Sequence, residues 1–270
     1  MKNLLSFVAF CTLVIPAFAQ KTPEVQASTL SAPTNVRIDG KITEWQAFAA
    51  DNKRTELLYT LANDEKNLYL VIKSSTKEVI NKIMAGGISF TVNVEGKKKD
   101  GSKVTYPLIA RNNRNQGQRP QGGGQGRPQG GGGFQNRNQQ DPKQRDSIAT
   151  VQRKVQLAGI KEIKVSGIKS VQDSLISIYN EYGIKAAANI DEAGAFVYEL
   201  ALPISVLELK VGKEFAYQIK VNGLSAMGFG GGNGGGGFGG GRPGGGNFGG
   251  GNQDMMSATD FWGKYTLSTK

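Results

Sequence analysis

Few side chains in this chain could do chemistry, and their types narrow that chemistry at once. The 270 residues include no histidine and a single cysteine, Cys11. Cys11 lies in an apolar run that follows Lys2 and closes on Ala17-Phe18-Ala19. A charged start, a short apolar stretch and an A-x-A site are the marks of a secretory signal, here residues 1–19. The run is too short to span a bilayer as a helix. Once it is removed, the chain has neither thiol nor imidazole. Ser-His-Asp and Cys-His catalysis are then excluded, as are zinc, copper and haem sites that need His or thiolate ligands.

Carboxylates and flat rings remain. Asp39, Glu44 and Glu199 could be set against one another as a glycosidase pair, but spacing along a sequence fixes no carboxyl separation. The chain therefore reads as non-catalytic and without a cofactor, with calcium held by carboxylate oxygens as the alternative left open. Trp45 and Trp262 are the only tryptophans. In a saccharide site, a flat ring covers the apolar face of a pyranose while carboxylates or amides take its hydroxyls. The candidate ligand-binding residues are accordingly Trp45, Trp262, Asp39 and Glu44, at an edge or end of the fold. Each also has a structural reading. Asp39-Gly40 suits a turn whose carboxylate caps backbone N–H groups. A tryptophan packs readily into a core or rim. Glu199, alternating with Val197 and Ala201, reads as a solvated or ion-paired side chain.

The elements that would position these residues are mostly strands. Residues 88–94, "ISFTVNV", alternate as a half-buried strand does. Leu68 to Ile72 is a nearly continuous β run entered from the turn at residues 63–66. Residues 184–202 read as a hairpin about Asp191-Glu192-Ala193-Gly194, and residues 215–221 as a further strand. Two short helices are expected. One runs from an N-cap at Thr76 to Met84, ended by Gly86. The other covers residues 146–159, with Ile148, Val151, Val155 and Ala158 inward. Strands joined by short turns favour an antiparallel β-sandwich.

Two low-complexity stretches interrupt this pattern. Residues 112–143 are rich in Gly, Gln, Asn and Arg, and residues 224–253 are dominated by Gly. Neither can bury a core, so both read as disordered insertions. After the second, "ATDFWGKYTLSTK" supplies one strand, Phe261 to Leu267, which must join the sheet upstream. The expected organisation is a signal at 1–19, a flexible segment at 20–34, and a single β-sandwich domain at 35–270 carrying both insertions. Loop closure costs grow only logarithmically with length, so one fold can hold them. The formal net charge is +11, and much of the excess sits in Arg111, Arg114, Arg119, Arg127, Arg137, Lys143 and Arg145. A cationic loop of that kind suits an anionic cell-surface polymer rather than a specific nucleic-acid site.

Four stretches occur in order: "VRIDGKITEW", "NLYLVIKSS", "FVYELALPISVL" and "FWGKYTL". Together they resemble the carbohydrate-binding module family 9-like domains, relatives of the DOMON-like β-sandwiches. The resemblance implies two antiparallel sheets, a place in secreted sugar-processing systems, and a polysaccharide or glycan as partner. The expected function is a secreted, non-catalytic binding module in the periplasm, at the cell surface or outside the cell. The alternative is a structural or adhesive surface protein that acts through its Gly-rich and Arg/Gln-rich loops.

Overall fold

A computed structural model of the chain describes residues 22–109, 142–223, 255 and 257–268. The expected signal and nearly all of both expected insertions lie outside the described residues. The fold is mainly β, as the strand pattern predicts, and consists of two antiparallel sheets. The first has the order β1 (Ala50–Asn52), β2 (Leu57–Asn63), β3 (Asn67–Ser74), β9 (Phe196–Pro203), β8 (Lys185–Ile190). The second has the order β11 (Thr259–Thr266), β10 (Glu214–Val221), β4 (Ile88–Asn93), β5 (Ser102–Tyr106), β6 (Glu162–Ser166), β7 (Leu175–Ser177). One core lies between them. Tyr59, Leu70, Ile72 and Tyr198 enter it from the first sheet, and Phe90, Val104, Phe215 and Tyr217 from the second. Among the described residues no helix is long and apolar enough to cross a membrane.

Local chemistry explains the turns. Asp64 Oδ1 accepts from the backbone N–H groups of Lys66 and Asn67 and so folds the β2–β3 hairpin, while Asp191 Oδ1 accepts from Ala195 N between β8 and β9. β11 pairs with β10 along its whole length, so the segment after the Gly-rich stretch does close the sheet. Gly263 is required there for space. A Cβ on it would sit 2.2 Å from the Tyr217 ring, which crosses the strand at that point.

Four expectations give way. Residues 20–34 were expected to be flexible, but most of the stretch is tied down. Asp51 N donates to Pro23 O, the Gln26 side chain bonds both N–H and C=O of Leu61, and Ala32 N and Leu30 O bracket Asn63. The reason is an edge: β1 covers β2 only as far as Tyr59, and the N-terminal residues satisfy the rest. β4 is buried on both faces rather than one, since Ser89, Thr91 and Asn93 are as enclosed as Ile88, Phe90 and Val92. The second helix, α2 (Pro142–Ala158), begins inside the expected insertion and packs by a different face. Leu157 is its core residue, while Ile148, Val151 and Val155 face solvent, Val155 at 68 % exposure. The apolar stripe was read as inward because periodicity shows that a stripe exists, not what covers it. The first helix, α1 (Lys77–Gly86), starts as expected after Thr76, but Thr76 gives its hydroxyl to Glu56 instead of capping, and the chain leaves the helix at Gly87, with φ +74°.

The last strand is also joined to the first described residues. Tyr265 on β11 donates to Leu30 O and accepts from Leu30 N, and Ser268 N donates to Asn63 Oδ1 at 2.7 Å. Two outcomes follow from this closure. Gly263→Ala should lower stability by about 1–3 kcal/mol or more through overpacking against Tyr217, measured by denaturant melts. A chain ending after Asn222 should be insoluble or unfolded, because β10 becomes a bare edge and Leu30 loses its clasp; an unchanged melting temperature would contradict the pairing.

Candidate functional site

The residues singled out in the sequence do not form one group. Asp39, Glu44 and Trp45 lie on the segment that crosses the outer face of the first sheet, where Ala49 N donates to Thr60 Oγ1 on β2. Trp262 points out from β11, opposite Gln218, on the outer face of the other sheet. The core separates the two tryptophans, so a single aromatic platform cannot use both.

What organises the first group is Glu199, a residue expected to be solvated or ion-paired. It is 0 % exposed. Inward neighbours Tyr198 and Leu200 fill the core, so Glu199 faces outward on β9 and is roofed by residues 39–45. Its Oε2 accepts from Asp39 N at 3.1 Å and Gly40 N at 2.9 Å, and its Oε1 accepts from Trp45 Nε1 at 3.3 Å. No cation pairs with it among the described residues. Burial disfavours the charged form more than these donors favour it, and the Glu199 carboxyl is pushed up to about 7. The Asp39-Gly40 turn behaves as its sequence suggests: Asp39 Oδ1 accepts from Lys41 N, and Gly40 takes a left-handed φ of +80° against Ala188 and Asn189. The Trp45 ring, half-buried, rests on Tyr69 at a centroid distance of 6.2 Å. Glu44 accepts from Thr43 Oγ1 at 3.1 Å. Among the described residues no three carboxylates converge as a calcium site would need.

The hollow nearest this segment is a cleft of about 580 Å³ between the edge strand β8 and the end of α2. Ile38 and Asp39 form one rim, and the end of α2 with Ile160 and Lys161 forms another. Tyr106 and the alanines of β8 line it, with Lys185 beside them. Tyr179 stands at its mouth, 81 % exposed. That ring is presented by a built loop. Ser177 Oγ accepts from Tyr179 N, and the Asn180 amide bonds Ser177 O, Ile184 O and Ile184 N. Of the residues named from sequence, only Asp39 reaches the cleft. Tyr179, Tyr106, Lys161 and Lys185 were missed. A signal for Tyr179 is present in "SIYNEYG", where an aromatic precedes Asn in a turn-forming stretch.

The Glu199 arrangement makes a stability prediction. The folded carboxyl titrates near 7, above its ordinary value of 4.5. The folded state therefore holds the proton more tightly, and this contribution is fully present below pH 4.5 and lost as pH rises through 7. The loss should be on the order of 3 kcal/mol. Urea melts from pH 4.5 to 8 should show the decline, and Glu199→Gln should flatten it; an undiminished slope in that variant would place the titrating group elsewhere.

Comparison with known proteins finds no matching family model, and neither a curated protein nor a solved structure that is significantly similar to this chain.

Proposed function

We propose that this protein is a secreted, non-catalytic binding module and that the cleft beside β8 takes a saccharide. The reading rests on the motif resemblance, on the signal-like N-terminus and above all on one observation: the Tyr179 ring is held exposed at the mouth of a cleft by hydrogen bonds that fix its loop. A large ring left so open contributes little to folding. It offers a flat face on which the C–H side of a sugar can stack, and Asp39, Lys161 and Lys185 stand close enough to meet hydroxyl groups. Glu199 acts at one remove, by fixing the turn that carries Asp39. Trp45 belongs to that latch rather than to the ligand surface, because its indole N–H is committed to Glu199 and its ring to Tyr69.

One observation favours the adhesive reading as a second. Thr259, Val221, Ile88 and Tyr106 stand in a row across β11, β10, β4 and β5. The chain therefore enters or leaves both low-complexity stretches from the same end of one sheet.

The two readings separate in one experiment. A glycan array followed by calorimetric titration should find a saccharide ligand for the mature chain. Tyr179→Ala should weaken it by roughly 1–3 kcal/mol, the range of a lost stacking ring, with the melting temperature unchanged. Undiminished affinity in Tyr179→Ala would reject the cleft as the site, and no saccharide binding across a broad panel would leave the adhesive reading.

A further inference from the structure

The outer face of the six-stranded sheet has its own chemistry. Its side chains fall in rows set by strand register. Trp262, Gln218, Thr91 and Lys103 stand side by side across β11, β10, β4 and β5. The next row holds Asp260, Lys220, Ser89, Thr105 and Lys164. At a strand spacing of about 4.8 Å, the first row spans roughly 14 Å.

Size varies across these rows in a regular way. Ser89, Thr91, Thr105 and Ala216 are small and buried, so the middle of the face is low. Gln218, Lys220 and Trp262 rise on one side, and Lys103 and Lys164 on the other. The result is a shallow trough along β4. α1 touches this sheet at β10, with Val79, Ile80 and Ile83 turned into the core.

The floor carries a polar group with no hydrogen-bond partner among the described residues. Ser89 and Thr105 satisfy each other at 2.7 Å, and Asn222 Nδ2 donates to Ser89 Oγ. Thr91 is 1 % exposed, and its hydroxyl has no hydrogen-bond partner among the described residues. A buried hydroxyl left unpaired costs free energy that a valine of the same shape would not incur. Both walls carry lysine, with Asp260 directly across from Lys220 on β11. Lys164 and Lys220 make no ion pair among the described residues, and Lys103 reaches Asp100 only at 3.5 Å. The one carboxylate in these rows, Asp260, is taken by Gln218 Nε2 at 2.7 Å.

We propose that this trough is a second binding surface, for a linear acidic polysaccharide. Its carboxylates would meet Lys103, Lys164 and Lys220, a sugar hydroxyl would pair with Thr91, and Trp262 would stack on a ring at one end. A single-stranded nucleic acid fits less well, because its bases call for several stacking rings in succession and the face offers one. The inference goes beyond the saccharide cleft and does not depend on it.

The test uses the full mature chain and polygalacturonate, titrated calorimetrically at low and moderate salt. Dextran serves as the neutral control and oligo-dT as the anionic control that is not a sugar. Polygalacturonate should bind, more weakly as salt rises, and in preference to both controls. The combined K103Q, K164Q and K220Q variant should lose at least ten-fold in affinity. Thr91→Val should lose several-fold while melting no lower than the wild type. Should the triple variant melt early, Lys164→Glu alone, at an exposed position, must still weaken binding. The proposal is overturned if polygalacturonate does not bind, if oligo-dT binds as well, or if the lysine variants keep wild-type affinity, which would assign binding to the Arg-rich residues 111–146 instead.

Discussion

A carboxylate facing away from the core of a β-sheet normally meets water. Glu199 does not, and much of this molecule is arranged around that fact. Once residues 39–45 cover β9, the carboxylate must take its hydrogen bonds from them, and it does so with two backbone N–H groups and one indole. The donors are consecutive at Asp39 and Gly40 only because the chain turns there with a positive φ, which glycine tolerates. The same turn brings Ile38 and Asp39 to the cleft. One buried carboxyl group thus links the sheet, its roof and the candidate site, and a change at Glu199 would be felt at all of them.

With a single cysteine in the chain no disulfide can cross-link the fold, so closure depends on hydrogen bonds at its open side. Tyr59 and Tyr217 meet at 2.8 Å in the interior, and Gln26 N adds a donor to Tyr59. Tyr265 reaches from one sheet to Leu30 beside the other. These tyrosines place large apolar rings in the core and use their hydroxyls where two elements must be joined. Burial raises the Tyr59, Tyr217 and Tyr265 phenols above their ordinary range, so they stay neutral at working pH. On the opposite side α2 stands against β8, with Leu157 in the core and Arg153 bonded to Asn81 on α1.

The strands were legible because alternation and turn residues are local signals. The β8–β9 hairpin about Asp191 and the late strand at residues 259–266 were both readable from spacing alone. Burial on the second face of a sheet was not. Val197-Tyr198-Glu199 alternates like a half-exposed strand, and nothing within it announces that residues some 150 positions earlier will lie across it. The same limit explains α2, whose stripe is real but turned to solvent, and β4, whose polar residues looked solvated. The candidate site suffered most. It is assembled from a turn near the start, the end of a helix, and a loop before β8. Only Asp39 carried a mark that sequence could show, and that mark was for a turn.

The two outer faces also differ in what they can offer a partner. The five-stranded sheet is roofed by its own N-terminal segment, which consumes Thr60, Tyr69 and Glu199 in internal contacts. Its outward residues are therefore spent on stability. The six-stranded sheet keeps a buried, hydroxyl-lined floor on its outer face where a sheet selected only for solubility would place long charged side chains throughout. The Thr91 hydroxyl at the centre of that floor has no partner among the described residues, a cost that a ligand pairing it would recover. The asymmetry between the faces makes the six-stranded sheet the one with outward side chains left over for a partner, whether or not the cleft beside β8 is filled.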